Sequence, residues 1–141
     1  MRYFLIIVIT LWTGLSYAAE IEVEMLNKLN NEYMVYSKKI VKIDVGDTVF
    51  WKATDSSHNV EFIKGAVPEG VDIFKSKLNQ DVSYEFKIPG IYAYWCTPHK
   101  SLGMIGFVIV GNDLSNKKDI SNVKYFGKSK KIAEKLIEQL I

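Results

Sequence analysis

Apolar positions along this chain follow three patterns, and each predicts a different element. Behind Met1 and Arg2, an apolar stretch runs from Tyr3 to Trp12 and ends in Ser16-Tyr17-Ala18, with small residues at −3 and −1 of a cut after Ala18. That is the layout of a cleaved secretory signal peptide over residues 1–18. A membrane span needs about 20 apolar residues, and this run is roughly half that. From Ile21 the period becomes two: Ile21, Val23 and Met25 alternate with Glu22 and Glu24, as a half-buried strand requires. Val41, Ile43 and Val45 alternate likewise, Gly46-Asp47 breaks the run, and Thr48-Val49-Phe50-Trp51 continues it, which predicts a hairpin. Tyr84, Phe86 and Ile88 lead to Pro89-Gly90 and then to Ile91-Tyr92-Ala93-Tyr94-Trp95-Cys96. A last strand, Ile105 to Val110, stops at Gly111-Asn112.

Short strands punctuated by turns therefore fill the chain from residue 21 to 110, and an antiparallel β-sandwich is predicted over 19–110. After Gly111 the composition turns rich in Lys, Asn and Ser, and Ile132, Leu136, Ile137, Leu140 and Ile141 recur at helical spacing. Residues 111–141 are predicted as a helical tail whose apolar stripe lies on the sandwich as part of the same domain. Eighteen Lys and Arg against sixteen Asp and Glu leave a net charge of +2, well short of the basicity of a nucleic-acid binder. The single cysteine, Cys96, excludes an internal disulfide. In an exported protein a free thiol must be buried, bonded to a metal, or reactive by design.

Cys96 opens the segment Cys96-Thr97-Pro98-His99-Lys100-Ser101-Leu102-Gly103-Met104 between two predicted strands, and the other histidine, His58, follows a strand in Thr54-Asp55-Ser56-Ser57-His58. Two imidazoles and a thiolate make a trigonal set, and a Met sulfur can add a weak axial ligand, the combination of a mononuclear blue-copper site. Zinc prefers four strong ligands, or three and a water. Taken singly, Cys96 reads as a small buried hydrophobe, His58 as a loop residue and Met104 as core filler. Two other functions compete: a thiol enzyme with His99 as base for Cys96, and a copper carrier that hands the ion on without cycling its valence. The enzyme leaves Met104 and His58 without a role.

His58-Asn59-Val60-Glu61, the Cys-Thr-Pro-His loop and Met104 resemble the cupredoxin family, and within it the pseudoazurins; the likeness extends to Ile21–Lys28, Gly46-Asp47-Thr48-Val49, Pro68-Glu69-Gly70 and Phe74–Lys77. The resemblance implies an all-β, Greek-key sandwich with the C-terminal helical extension packed on it. It implies one Cu ion with His58, Cys96 and His99 in the equatorial plane and Met104 axial. It places the Asn59 backbone N–H at the Cys96 sulfur, the Asn59 side chain at Thr97, and Asn27 and Met34 near the site. The function implied is a periplasmic, monomeric one-electron carrier, not an enzyme. It serves redox proteins such as copper nitrite reductase, with no nucleic acid and no membrane insertion. An apolar patch of Pro98, Leu102, Ile105 and Met34 around His99, rimmed by Lys28, Lys75, Lys77 and Lys100, is the expected docking face. Two departures thin that rim: Trp95 stands where pseudoazurins commonly carry lysine, and Ser56-Ser57 stands where they carry Lys-Gly.

Overall fold

A computed structural model describes residues 17–141. The leader expected at residues 1–18 therefore lies, up to Ser16, outside the described residues. Eight strands follow in order: β1 (Glu20–Leu29), β2 (Glu32–Tyr36), β3 (Ile40–Ile43), β4 (Thr48–Lys52), β5 (Glu61–Phe62), β6 (Val82–Glu85), β7 (Gly90–Trp95) and β8 (Ile105–Val110). Two helices close the chain, α1 (Lys117–Asn122) and α2 (Lys128–Glu138). The strands form two four-stranded sheets, ordered β2-β1-β4-β6 and β3-β8-β7-β5.

Two expectations need correction. The sandwich is mixed, because β1 runs parallel to β4 and β3 parallel to β8. The hairpin expected over 41–51 does not form: β3 pairs with β8 while β4 pairs with β1 and β6. Both segments alternate because each lines the interior from its own sheet, with Val41 and Ile43 on one side and Val49 and Trp51 on the other. Alternation marks a face, not a partner, so it does not distinguish a hairpin from a crossing between sheets. Asp47 fixes that crossing: its carboxylate accepts the backbone N–H groups of Ala19 (2.7 Å) and Asp44 (2.9 Å).

Between the sheets lies an aromatic core. Tyr94 meets Tyr36 and Trp51 edge-on, at ring-centroid distances of 4.8 and 5.2 Å, and Phe86 meets Tyr92 at 4.8 Å. A second core lies on the outer face of the other sheet, where Ile91, Ala93, Phe107 and Ile109 pack against Ile120, Ala133, Leu136 and Leu140 of the tail. Strands β7 and β8 are thus buried on both faces, which explains why their apolar runs are continuous and not alternating. The tail does lie on the sandwich, but two details differ. Helix α1 falls in the polar stretch that showed no helical pattern, and Ile141, placed on the apolar stripe, is fully exposed. With one buried side chain, Ile120, α1 is too short to show a period.

Candidate metal centre

Cys96 continues the inward face of β7 that carries Tyr92 and Tyr94, so strand alternation delivers its sulfur to one end of the aromatic core. The chain then tightens into a single 3₁₀ turn, Thr97–His99, opened by Pro98 and closed by the His99 N–H on the Cys96 carbonyl (3.1 Å). The Cys96 N–H on the Met104 carbonyl (3.0 Å) brings the two ends of the loop together. His58 arrives from the segment after β4 and is completely buried.

These two segments place His58 Nδ1 3.2 Å from His99 Nδ1, and Cys96 Sγ 3.7 and 3.4 Å from the two nitrogens. The point equidistant from three such atoms lies about 2.0 Å from each, close to the ~2.0–2.1 Å of a metal–nitrogen bond and ~0.3 Å short of a metal–thiolate bond. The donor set therefore fits one ion at its centre. Met104 is fully buried in the same core cluster as Cys96. A soft sulfur pair with two imidazoles suits copper in both valences.

The imidazoles are prepared for that role. His58 Nε2 lies 2.9 Å from Asn27 Oδ1; an amide oxygen only accepts, so the proton sits on Nε2 and the Nδ1 lone pair faces inward. Burial lowers the His58 pKa, the neighbouring His99 lowers it further, and Asp55 opposes both. Burial lowers that of His99 as well. Both rings are held neutral, as ligands must be. Burial raises the Cys96 thiol, against the pull of the Asn59 and His99 backbone N–H groups. A thiol so placed is a poor nucleophile, which counts against the thiol enzyme. A bound cation reverses that preference by holding the sulfur as thiolate.

A polar network ties the two ligand segments together. The Asn59 side chain accepts the Thr97 N–H (2.8 Å) and donates to Thr97 Oγ1 (3.0 Å) and to the Ser76 carbonyl (3.2 Å). Thr97 Oγ1 in turn donates to Glu61 (2.6 Å), which also accepts the Trp95 indole N–H (3.2 Å) and faces Lys75 (3.5 Å). Burial works to raise the Glu61 carboxyl, but Thr97, Trp95 and Lys75 hold it below its ordinary value. Glu61 and Ser76 were not singled out for roles in the sequence. Glu61 borders the His58-Asn59 motif, and that position was the available signal.

Asn27 and Met34 face each other across β1 and β2, at the one step where the ladder between Leu26↔Val35 and Lys28↔Tyr33 is interrupted. The Asn27 N–H is diverted to Asp55 (2.6 Å), and Met34 takes a left-handed φ of 52° while packing on the core that holds Cys96. Ser57 is left-handed too, with φ 71°; its carbonyl oxygen lies 4.0 Å from Cys96 Sγ and its N–H donates to Asn79. Of the patch expected around half-buried His99, Pro98 and Leu102 are exposed and Met34 is half-buried. Ile105 is only 1% exposed and belongs to the second core, since the first residue of β8 faces the tail. The four lysines differ. Lys77 is free on the surface, Lys28 lies over Tyr33, Lys75 is paired with Glu61, and half-buried Lys100 sits over Trp95 and Phe126.

Residues 23–111 match the family of copper binding proteins described as the plastocyanin/azurin family. The chain is 45% identical to the pseudoazurin of Paracoccus pantotrophus over 101 residues, 72% of this chain and 70% of that one. The crystal structure of pseudoazurin from Methylobacterium extorquens AM1 superposes with a TM-score of 0.83 at 33% identity, covering 86% of this chain and 99% of the other. That of Hyphomicrobium denitrificans gives 0.82 at 35% identity, covering 86% and 98%.

Proposed function

Because the chain belongs to the plastocyanin/azurin family of copper-binding proteins, among its pseudoazurins, we propose that it delivers single electrons to a periplasmic copper nitrite reductase. It is a copper electron carrier and not an enzyme, with one copper ion as its cofactor. When bound, that ion supplies a change of one electron between Cu(I) and Cu(II). His58, Cys96, His99 and Met104 are the residues that hold it, and the observation that carries this reading is the triangle of Nδ1, Nδ1 and Sγ. Buried Cys96 and His58 keep water from the donor atoms, while Asn27 and Asn59 keep those atoms from turning away. A ligand set that stays in place when the ion changes charge keeps the reorganisation small. His99, half-buried where His58, Cys96 and Met104 are fully buried, is the ligand a partner can approach, over Pro98 and Leu102.

The apolar run behind Arg2 and the small residues at −3 and −1 of a cut after Ala18 support export to the periplasm, where we place the chain as a monomer. Among the described residues no helix is long and apolar enough to cross a membrane. Lys77 and Lys28 are the exposed charges available to steer an acidic acceptor, and steering of that kind weakens with salt. Two measurements test the proposal. Copper-loaded protein is expected to show an intense thiolate-to-Cu(II) band that bleaches on one-electron reduction and is absent from Cys96→Ser; survival of the band in that variant overturns the ligand set. Stopped-flow mixing of the reduced carrier with copper nitrite reductase is expected to show transfer that slows as salt rises. No transfer at any salt excludes this acceptor, and a reduced protein that loses its copper points to a metal carrier instead.

A further inference from the structure

Taking His99 and Met104 as ligands, as above, we propose that residues 126–132, at the start of α2, are a positioning element for the metal-binding loop, holding its outer half from a segment that contributes no ligand. The loop has an inner half, Cys96 and Thr97, fastened by Asn59. Its outer half, from Lys100 to Gly103, receives nothing from that network. The hydrogen bonds that the Lys100 and Ser101 carbonyls accept from outside the loop come from the tail instead. The Lys128 N–H donates to the Ser101 carbonyl (2.9 Å), and the fully buried Ser129 hydroxyl donates to the Lys100 carbonyl (2.5 Å). These are the consecutive carbonyls directly after His99.

The packing is as close as the hydrogen bonding. Gly127 has φ 52° and ψ −128°, a conformation L side chains avoid, and a Cβ on it would lie 2.4 Å from the Ser101 carbonyl oxygen. On Gly103, beside Met104, a Cβ would lie 2.5 Å from the end of the Ile132 side chain. Lys100 Nζ stands 5.0 Å from the Phe126 ring and 5.2 Å from that of Trp95, and the two rings are 5.6 Å apart. At Gly127 and Ser101 backbone lies against backbone with no side chain between, and with the Ser129 and Ile132 contacts this leaves the outer half one position. His99 and Met104 lie at either end of it, so a shift of the tail's first turn moves their donor atoms relative to Cys96.

The test uses copper-loaded full-length protein and the variants Gly127→Ala, Ser129→Ala and Leu136→Ala. Leu136 is buried on the same helix, but it packs on the sheet and gives a stability control remote from the loop. Well below the unfolding temperature of every variant, the two loop-facing substitutions are expected to release copper to a chelator about tenfold faster than the wild type. They should also change the electron paramagnetic resonance spectrum of the Cu(II) form. Leu136→Ala is expected to lower the unfolding temperature with neither change. If Gly127→Ala does not fold, Ser129→Ala decides. Release rates and spectra equal to those of Leu136→Ala overturn the positioning role while leaving the ligand set intact. A wild-type protein with no thiolate-to-copper band overturns the ligand set itself.

Discussion

Cys96 and His99 stand three residues apart on one loop, yet the fold holds them by different means. Cys96 is completely buried at the end of a strand covered on both faces, and its neighbour Thr97 is bound through both backbone and side chain to Asn59. His99 is half-exposed on a 3₁₀ turn, and the residues after it lean on a helix that begins near residue 128. The buried half is fixed by side-chain hydrogen bonds in low dielectric, where an unpaired group is costly. The outer half is fixed by its contacts with the start of α2, where backbone meets backbone at Gly127, and His99 is left the least buried of the ligands. A carrier needs both: an interior that does not rearrange, and an edge that can be touched.

The comparison is broken most severely on the buried side. Asn59→Ala would leave the Thr97 N–H and the Ser76 carbonyl without their partners, in a position only 2% exposed. An orphaned group costs on the order of 1–3 kcal/mol when buried, and these two are partly buried, so a loss of about 2 kcal/mol is expected in chemical denaturation of the copper-free protein. A loss of under 1 kcal/mol would mean that the two ligand segments are joined by packing alone and that the polar network is incidental.

One step outward, Glu61 tunes the same half by charge. Its carboxyl sits below the ordinary value of 4.5 because hydrogen bonds from Thr97 and Trp95, and Lys75, outweigh burial. A carboxyl with a depressed folded-state pKa binds fewer protons folded than unfolded, so its contribution is complete above pH 4.5 and disappears as pH falls through the folded value. Glu61→Gln keeps an acceptor but loses the charge. It is expected to cost about 1 kcal/mol at neutral pH and nearly nothing in strong acid. Denaturation across an acid titration checks this, the variant's curve being the flatter of the two. Parallel curves would show that the carboxylate contributes nothing specific.

The two halves also differ in how far they could be read from residues alone. The inner half was legible because its parts are unusual: the only cysteine, both histidines and Asn59 beside His58 have few roles available to them together. The two-sheet core was legible for the reason that period two marks a buried face. Which strands pair was not, since Val41 to Trp51 alternates equally well as a hairpin or as a crossing between sheets. The grip of the tail on the loop was hidden too. Gly127 and Ser129 lie in a polar stretch, and their importance comes from touching the carbonyls of Lys100 and Ser101, a relation that only the folded chain creates. Lys100 illustrates the same limit, being legible as a charge but not as one set over two neighbouring aromatic rings.

The mildest substitution sharpens the contrast from the exposed side. Leu102 follows the carbonyls that α2 grips, and the residue is 46% exposed beside the His99 turn. Leu102→Ala removes apolar surface that is mostly in water, so unfolding free energy should change by no more than about 0.5 kcal/mol, with the copper spectrum unaltered. The surface a partner meets is smaller by an isopropyl group. A truncation near the centre of a small apolar contact costs on the order of 1 kcal/mol, so transfer to the acceptor should slow by about fivefold at subsaturating concentration. Because the substitution carries no charge, the slope of that rate with salt should match the wild type, which separates contact from steering. An unchanged rate would move the docking face away from His99, while a changed spectrum would mean that Leu102 helps hold the loop and that its outer half is less independent of its side chains than the backbone packing implies.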